Sequence, residues 1–104
     1  MRTPKVITQS AKGEDCTLNI AGVCNYDSET TVACHISCGS GGTNRLSGAL
    51  AIAFGCSSCH DEIDGRTGFR HTTKLDREFY EKRGVIRTTN RLIEKGLVTV
   101  KGLK

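Results

Sequence analysis

The chain has little material from which to build a large hydrophobic core. It contains no tryptophan, 5% of its 104 residues are aromatic, and 37% are hydrophobic. A domain of this length buries a modest fraction of its surface, so a covalent or metal cross-link would add much to its stability. The composition therefore predicts one domain over residues 1–104 that depends on such a cross-link, and six cysteines are available to provide it.

Long apolar runs are also lacking. No segment approaches the length that a membrane-spanning helix needs. The start, Met1-Arg2-Thr3-Pro4-Lys5, leads into a short mixed stretch instead of the apolar run and cleavage site of a secretory signal. We therefore expect a cytoplasmic protein. In that compartment thiols stay reduced, and paired cysteines bind metal more often than they form disulfides.

The formal net charge of +4 is unevenly distributed. Residues 1–59 are balanced, whereas residues 60–104 carry eleven Lys or Arg against seven Asp or Glu. A basic face of this kind is typical of proteins that bind phosphates, although a solvated helical surface gives the same pattern. The candidate phosphate-binding residues are Arg66, Arg70, Lys74, Arg77, Arg87 and Arg91.

The middle of the chain has the pattern of two strands followed by a helix. The β-branched run 31–36 predicts one strand and the apolar run 50–54 another. A glycine-rich loop over residues 37–48 joins them. A short helix is expected from Ser57 to about Asp64, with Gly65 ending it. The predicted class is therefore α+β.

The flanking segments are expected to be less regular. Residues 1–15 are polar and predict a flexible start, and residues 66–104 predict a basic helical tail. Thr73-Lys74-Leu75-Asp76 resembles a capping box, so a helix should begin there, with Leu75 and Phe79 on one face. This helix is expected to end at Gly84. The other predicted elements are a second helix at 87–95 and strands at 17–20 and 97–100.

Four cysteines are candidate ligands of a structural zinc ion: Cys16, Cys24, Cys56 and Cys59. Zinc binds four thiolates as a tetrahedron, and C-x-x-C at a strand-to-helix turn is a common half of such a site. Either Cys34 or Cys38 could replace one of the four. Two other interpretations stay open: buried core cysteines, and a disulfide or redox protein whose active dithiol is Cys56 and Cys59.

Two of the three histidines belong to this central unit. His60 and Asp64 are four residues apart on the predicted helix, so both can face one divalent ion such as Mg²⁺. His35, at the end of the first strand, could take a proton from water. Cys34 and His35 point to opposite faces of a strand and cannot act as a nucleophile pair. A bound cation and a histidine base are what phosphodiester hydrolysis requires.

The order of these motifs resembles the HNH (ββα-metal) endonucleases that carry a treble-clef zinc site. The shared features are Cys16 and Cys24, then Cys34-His35-Ile36, a glycine loop, and Cys56-Ser57-Ser58-Cys59-His60. Gly22-Val23-Cys24-Asn25 and Cys56 to Asp64 are, more closely, similar to the YbcO type of small nuclease found in lambdoid phages and prophages. This similarity covers about residues 10–70.

The resemblance implies a zinc-stapled ββα core over residues 16–65 and a metal-dependent endonuclease. It implies that His35 is the general base, that His60 binds the catalytic ion, and that the four cysteines bind structural Zn²⁺. Nucleic acid, DNA in the first place, would be the partner in a bacterial host, with phage recombination or replication proteins as further candidates. A zinc-stabilised module that binds nucleic acid or a partner without cleaving is the alternative.

Two positions depart from the HNH pattern. Cys34 stands where these enzymes often have an acidic residue or a histidine. Their middle asparagine falls near Ala49 or Ala51 in this chain, and Asn44 in the loop is the nearest asparagine.

Overall fold

The computed structural model describes residues 3–36 and 49–103 of the chain. These residues form a small α+β structure, as the sequence predicts. In chain order its elements are α1 (Lys5–Gln9), a 3-10 turn (Ser28–Thr30), β1 (Val32–His35), β2 (Ile52–Gly55), α2 (Ser57–Ile63) and α3 (Lys74–Glu94).

The two strands form an antiparallel sheet. Val32 lies opposite Gly55, and His35 lies opposite Ile52. One more hydrogen bond, from the Ile36 amide to the Ala51 carbonyl at 2.8 Å, extends the ladder. The predicted strands at 31–36 and 50–54 are therefore confirmed, and α2 follows β2 directly.

Alternation along the strands divides the core into two clusters. Ile52 and Phe54 of β2 pack with Ile7, Ala11 and Leu92 on one side. The other cluster contains three cysteines and apolar residues from the segment before β1, from the end of β1 and from β2: Leu18, Ile20, Cys34, Ile36, Ala53, Cys56 and Cys59.

The start of the chain differs from the sequence expectation. Residues 5–9, expected to be part of a flexible start, form α1. Ile7 and Ala11 are 4% and 1% exposed because they cover the Phe54 side of the sheet. Two apolar residues spaced by one helical turn are enough to anchor this short helix.

The predicted helix end at Gly84 is wrong, because α3 continues through it as one helix of 21 residues. The capping box is confirmed: the Asp76 amide donates to Thr73 Oγ1 at 3.1 Å and the Thr73 amide to Asp76 Oδ2 at 3.0 Å. A Cβ at Gly84 would lie 3.0 Å from both Ala53 Cβ and Leu18 Cδ2. Gly84 therefore allows close packing of α3 on β2.

The two outer strands predicted at 17–20 and 97–100 are not formed. Leu18 and Ile20 alternate because both are buried, while Thr17 is hydrogen-bonded to the main chain of Phe54. Residues 97–100 follow the end of α3 as turns and irregular chain. No described helix is both long and apolar enough to cross a membrane.

Candidate functional site

The predicted cysteine cluster is assembled in the structure. The sulfur atoms of Cys16, Cys24, Cys56 and Cys59 all lie within 4.8 Å of one another, and those of Cys24 and Cys56 are 3.8 Å apart. Four thiolates around Zn²⁺ with Zn–S bonds of ~2.3 Å would place their sulfur atoms about 3.8 Å apart. The donor number and spacing are therefore those of a structural metal site.

Main-chain amides point at the sulfur atoms of this cluster. The Asn19 amide donates to Cys16 Sγ at 3.2 Å, and the Ile20 amide donates to Cys59 Sγ at 3.4 Å. Cys56 is the N-cap of α2 and accepts from the Cys59 amide at 3.4 Å. Such bonds favour the negatively charged form of sulfur, which is the form that binds metal.

The thiols of the cluster do not ionise independently. A hydrogen bond with Cys59 lowers the pKa of Cys16 to about 5. Burial raises the pKa of Cys24 to about 11, and the hydrogen bond with Cys16 raises the pKa of Cys59. A divalent cation would stabilise all four thiolates together, which the protein groups alone do not.

Cys34 does not belong to this cluster. It is 1% exposed in the adjoining core, and burial raises its pKa to about 12. Among the described residues, the four-cysteine group is the one set of three or more His, Cys, Asp or Glu side chains spaced to share an ion. The alternative in which Cys34 replaces one of the four is therefore not observed, and Cys38 lies outside the described residues.

The structure brings His60 and Asp64 together on α2. His60 Nε2 and Asp64 Oδ2 are 3.0 Å apart, and both side chains are partly exposed. Arg66 lies beside them, 3.1 Å from Asp61 Oδ1 and 4.0 Å from Asp64 Oδ2. Since Cys59 is the residue before His60, the cysteine cluster fixes the beginning of the helix that carries this pair.

His35 is exposed at the end of β1, next to the buried Cys34. It does not form a shared-ion group with His60 and Asp64. Ile36, which follows His35, and Ile63, which precedes Asp64, both line one cavity of about 1020 Å³ beside α3. The ends of β1 and α2 therefore lie on the same side of the molecule.

Sequence reasoning missed Glu62, a carboxylate that is 0% exposed. It accepts hydrogen bonds from Thr67 Oγ1 at 2.6 Å, Thr72 Oγ1 at 2.5 Å and the His71 amide at 3.3 Å. These contacts tie the chain between α2 and α3 to α2. The available signal was its spacing of three residues from Cys59, which places both on the buried face of the helix.

Three of the six predicted phosphate-binding residues have partners within the protein. Arg91 Nε is 2.7 Å from Glu14 Oε1, and Arg66 pairs with Asp61. The guanidinium of Arg77 lies 3.9 Å from the centre of the Phe69 ring. The other three, Arg70, Lys74 and Arg87, are exposed, and no ion pair joins them to another described residue.

A family model and two sequence relatives of this chain share one family description. The sequence profile of a family described as “Putative nuclease YbcO” matches residues 5–97. Proteins of that description from Escherichia coli K12 and Enterobacteria phage 82 are each 44% identical over 64 residues, which span 61% of this chain and 67% of the relative. A solved structure of “a putative bacteriophage protein” from E. coli K-12 MG1655 superposes with a TM-score of 0.71 and 32% identity, covering 86% of this chain and 98% of that one.

Proposed function

Because this chain belongs to the YbcO nuclease family, we propose that it is a metal-dependent endonuclease of the HNH type. Its substrate would be phosphodiester bonds of nucleic acid, DNA in the first place, during phage or prophage DNA processing. The observation that supports this most directly is the His60–Asp64 pair, held on the same short helix that begins at the cysteine cluster.

In this proposal Cys16, Cys24, Cys56 and Cys59 hold a structural Zn²⁺ ion. Their spacing suits a closed tetrahedral site with no open coordination position. The ion would cross-link the irregular segment before β1 to the first turn of α2. That cross-link determines where His60 lies relative to the sheet.

His60 and Asp64 would bind the catalytic divalent ion, Mg²⁺ or another, through a ring nitrogen and a carboxylate oxygen. Such an ion supplies positive charge to the phosphate and to the leaving oxygen. Before an ion binds, the 3.0 Å contact of Asp64 Oδ2 with His60 Nε2 would hold the His60 ring in place.

His35 would accept the proton of the attacking water. Its exposure at the end of β1 leaves the imidazole accessible to solvent and substrate. Exposed cations, foremost Arg70, Lys74 and Arg87, would bind the phosphate backbone by charge, which predicts binding that weakens steeply with added salt.

Plasmid nicking with Mg²⁺, Mn²⁺, Ni²⁺ or Zn²⁺ tests this assignment. We expect His35→Ala to lower the nicking rate by about 10²- to 10⁴-fold, the usual contribution of a general base. His71→Ala, which alters another exposed histidine, should nick at the wild-type rate. Equal nicking by His35→Ala and wild type would remove His35 from the mechanism, provided that circular dichroism shows both to be folded.

A second candidate is a zinc-stabilised module that binds nucleic acid or a protein partner without cleaving. The observation that favours it is the absence of a three-ligand group containing His35, His60 and Asp64 among residues 3–36 and 49–103. This candidate predicts retained, salt-sensitive DNA binding and no nicking with any of the four metals.

A further inference from the structure

The exposed side of α3 carries an apolar stripe. Leu75, Phe79 and Ile86 are 77%, 58% and 54% exposed, and Lys82 continues the same line. The spacing of these four residues is four, three and four. That spacing is the a/d pattern with which one helix packs along another.

The stripe is separate from the surface by which α3 packs on the core. Gly84, Thr88 and Leu92 are the buried residues of α3. They lie on the opposite side of the helix from Leu75 and Phe79, given a rotation of ~100° per residue. Large apolar side chains grouped on one exposed helix face are characteristic of interaction sites.

The charged residues beside the stripe can pair with the same residues of a second, antiparallel copy of α3. In an antiparallel pairing, Leu75 can lie opposite Ile86 of a second copy, and Phe79 then lies opposite Lys82 of that copy. This register brings Glu78 within about one residue of the same lysine. Two-fold symmetry forms each contact twice, with the aliphatic stem of Lys82 over the Phe79 ring and its ammonium near Glu78.

The surface beside the stripe carries both signs of charge. A cavity of about 1020 Å³ beside the stripe is lined by apolar side chains, including Ile36, Ile63 and Val85. Two carboxylates, Glu78 and Glu81, line it together with three cations, Lys74, Arg77 and Lys82. A helix that carries both signs of charge, such as α3 of a second copy, is complementary to this surface.

We propose that the protein forms a two-fold symmetric dimer in which α3 pairs antiparallel with α3 of a second copy. The stripe Leu75, Phe79, Lys82 and Ile86 is the seam, and Glu78 pairs with Lys82 across it. This proposal is independent of the nuclease proposal, because the dimer is detected by its molecular mass and not by its activity.

Light scattering during size exclusion, over a range of concentrations, tests the dimer. We expect a dimeric wild type and a monomeric Phe79→Glu, because the substitution buries a charge at the seam. Val6→Glu is the matched control: Val6 is 57% exposed, close to the 58% of Phe79, but lies on α1. A wild type that is monomeric at every concentration, or a Phe79→Glu variant as dimeric as wild type, overturns the proposal.

Charge exchange tests the register. Glu78→Lys and Lys82→Glu should each raise the dimer dissociation constant about tenfold, since each places like charges together at two symmetric positions. The double variant Glu78→Lys/Lys82→Glu restores the opposite charges and should return the constant toward the wild-type value. A double variant no tighter than the single variants contradicts the pairing of these two residues.

Discussion

Glu62 is the one fully buried carboxylate among the described residues, and its surroundings favour the charged form. Burial alone would raise its pKa, but hydrogen bonds from Thr67, Thr72 and the His71 amide lower that pKa below the ordinary value of 4.5. A carboxylate with three donors at 2.5 to 3.3 Å fixes the chain that leads from α2 to α3. Glu62 therefore stabilises the connection that follows His60 and Asp64.

This arrangement predicts a pH-dependent effect of Glu62→Gln. A carboxyl group whose folded-state pKa is lowered contributes stability above its unfolded pKa and loses it as pH falls through the folded pKa. We expect Glu62→Gln to cost about 1–3 kcal/mol of unfolding free energy at neutral pH. The difference from wild type in urea titrations should shrink as pH drops below 4.5.

The comparison of Glu62→Gln with wild type at each pH cancels effects that the two proteins share, including protonation of the cysteines. Glu29→Gln, which alters an exposed carboxylate of the 3-10 turn, should leave stability at neutral pH unchanged. A Glu62→Gln penalty that stays constant down to acidic pH would show that the ionised form is not what these donors stabilise.

At the scale of elements, Gly84 lies where α3 packs against Ala53 of β2. Alanine at an exposed helix position would gain ~1 kcal/mol over glycine. A Cβ at position 84 meets Ala53 and Leu18 at 3.0 Å, however, and overpacking of this kind costs about 1–3 kcal/mol. We expect Gly84→Ala to lower the free energy of unfolding in urea, whereas Asn90→Ala on the exposed side of α3 should not. A more stable Gly84→Ala variant would mean that α3 can move away from the sheet.

The same glycine shows what the sequence could and could not predict. Glycine is common just beyond the end of a helix, so the local pattern predicted two helices in this region. Packing of Gly84 against β2 instead maintains one helix. The strands, α2 and the capping box follow local rules and were predictable. Leu75 and Phe79 lie on one face of α3 as predicted, but that face is exposed, because periodicity identifies a face and not what covers it.

The candidate site shows a similar division. Cysteine spacing and the i, i+4 relation of His60 and Asp64 are local signals, and the structure assembles both groups. The ion pair of Glu14 with Arg91 joins residues 77 positions apart, and no local pattern predicted that Arg91 would have this partner. Contacts at such separations depend on the completed fold and leave no local pattern.

For the whole molecule, the cysteine cluster joins the irregular segment before β1 to the beginning of α2. Cys16 and Cys24 lie in an irregular segment without regular main-chain pairing, and Cys56 and Cys59 begin α2. The buried clusters on the two sides of the sheet are small. Three cysteines are among the seven buried residues of one of them. A metal ion at this position would bind the folded chain more tightly than the unfolded one, because folding brings the four sulfur atoms together, and this couples metal binding to folding.

Removal of the metal should accordingly unfold the protein. We expect about one Zn²⁺ per purified chain, and loss of helical circular dichroism when a strong chelator removes it, since structural zinc supplies folding free energy directly. Cys59→Ser should lack bound zinc and be unfolded. Cys34→Ser is the matched control, because Cys34 is equally buried but outside the cluster, and it should retain the ion. A metal-free wild type that stays folded with the chelator present would show that the four thiols are core residues and not ligands.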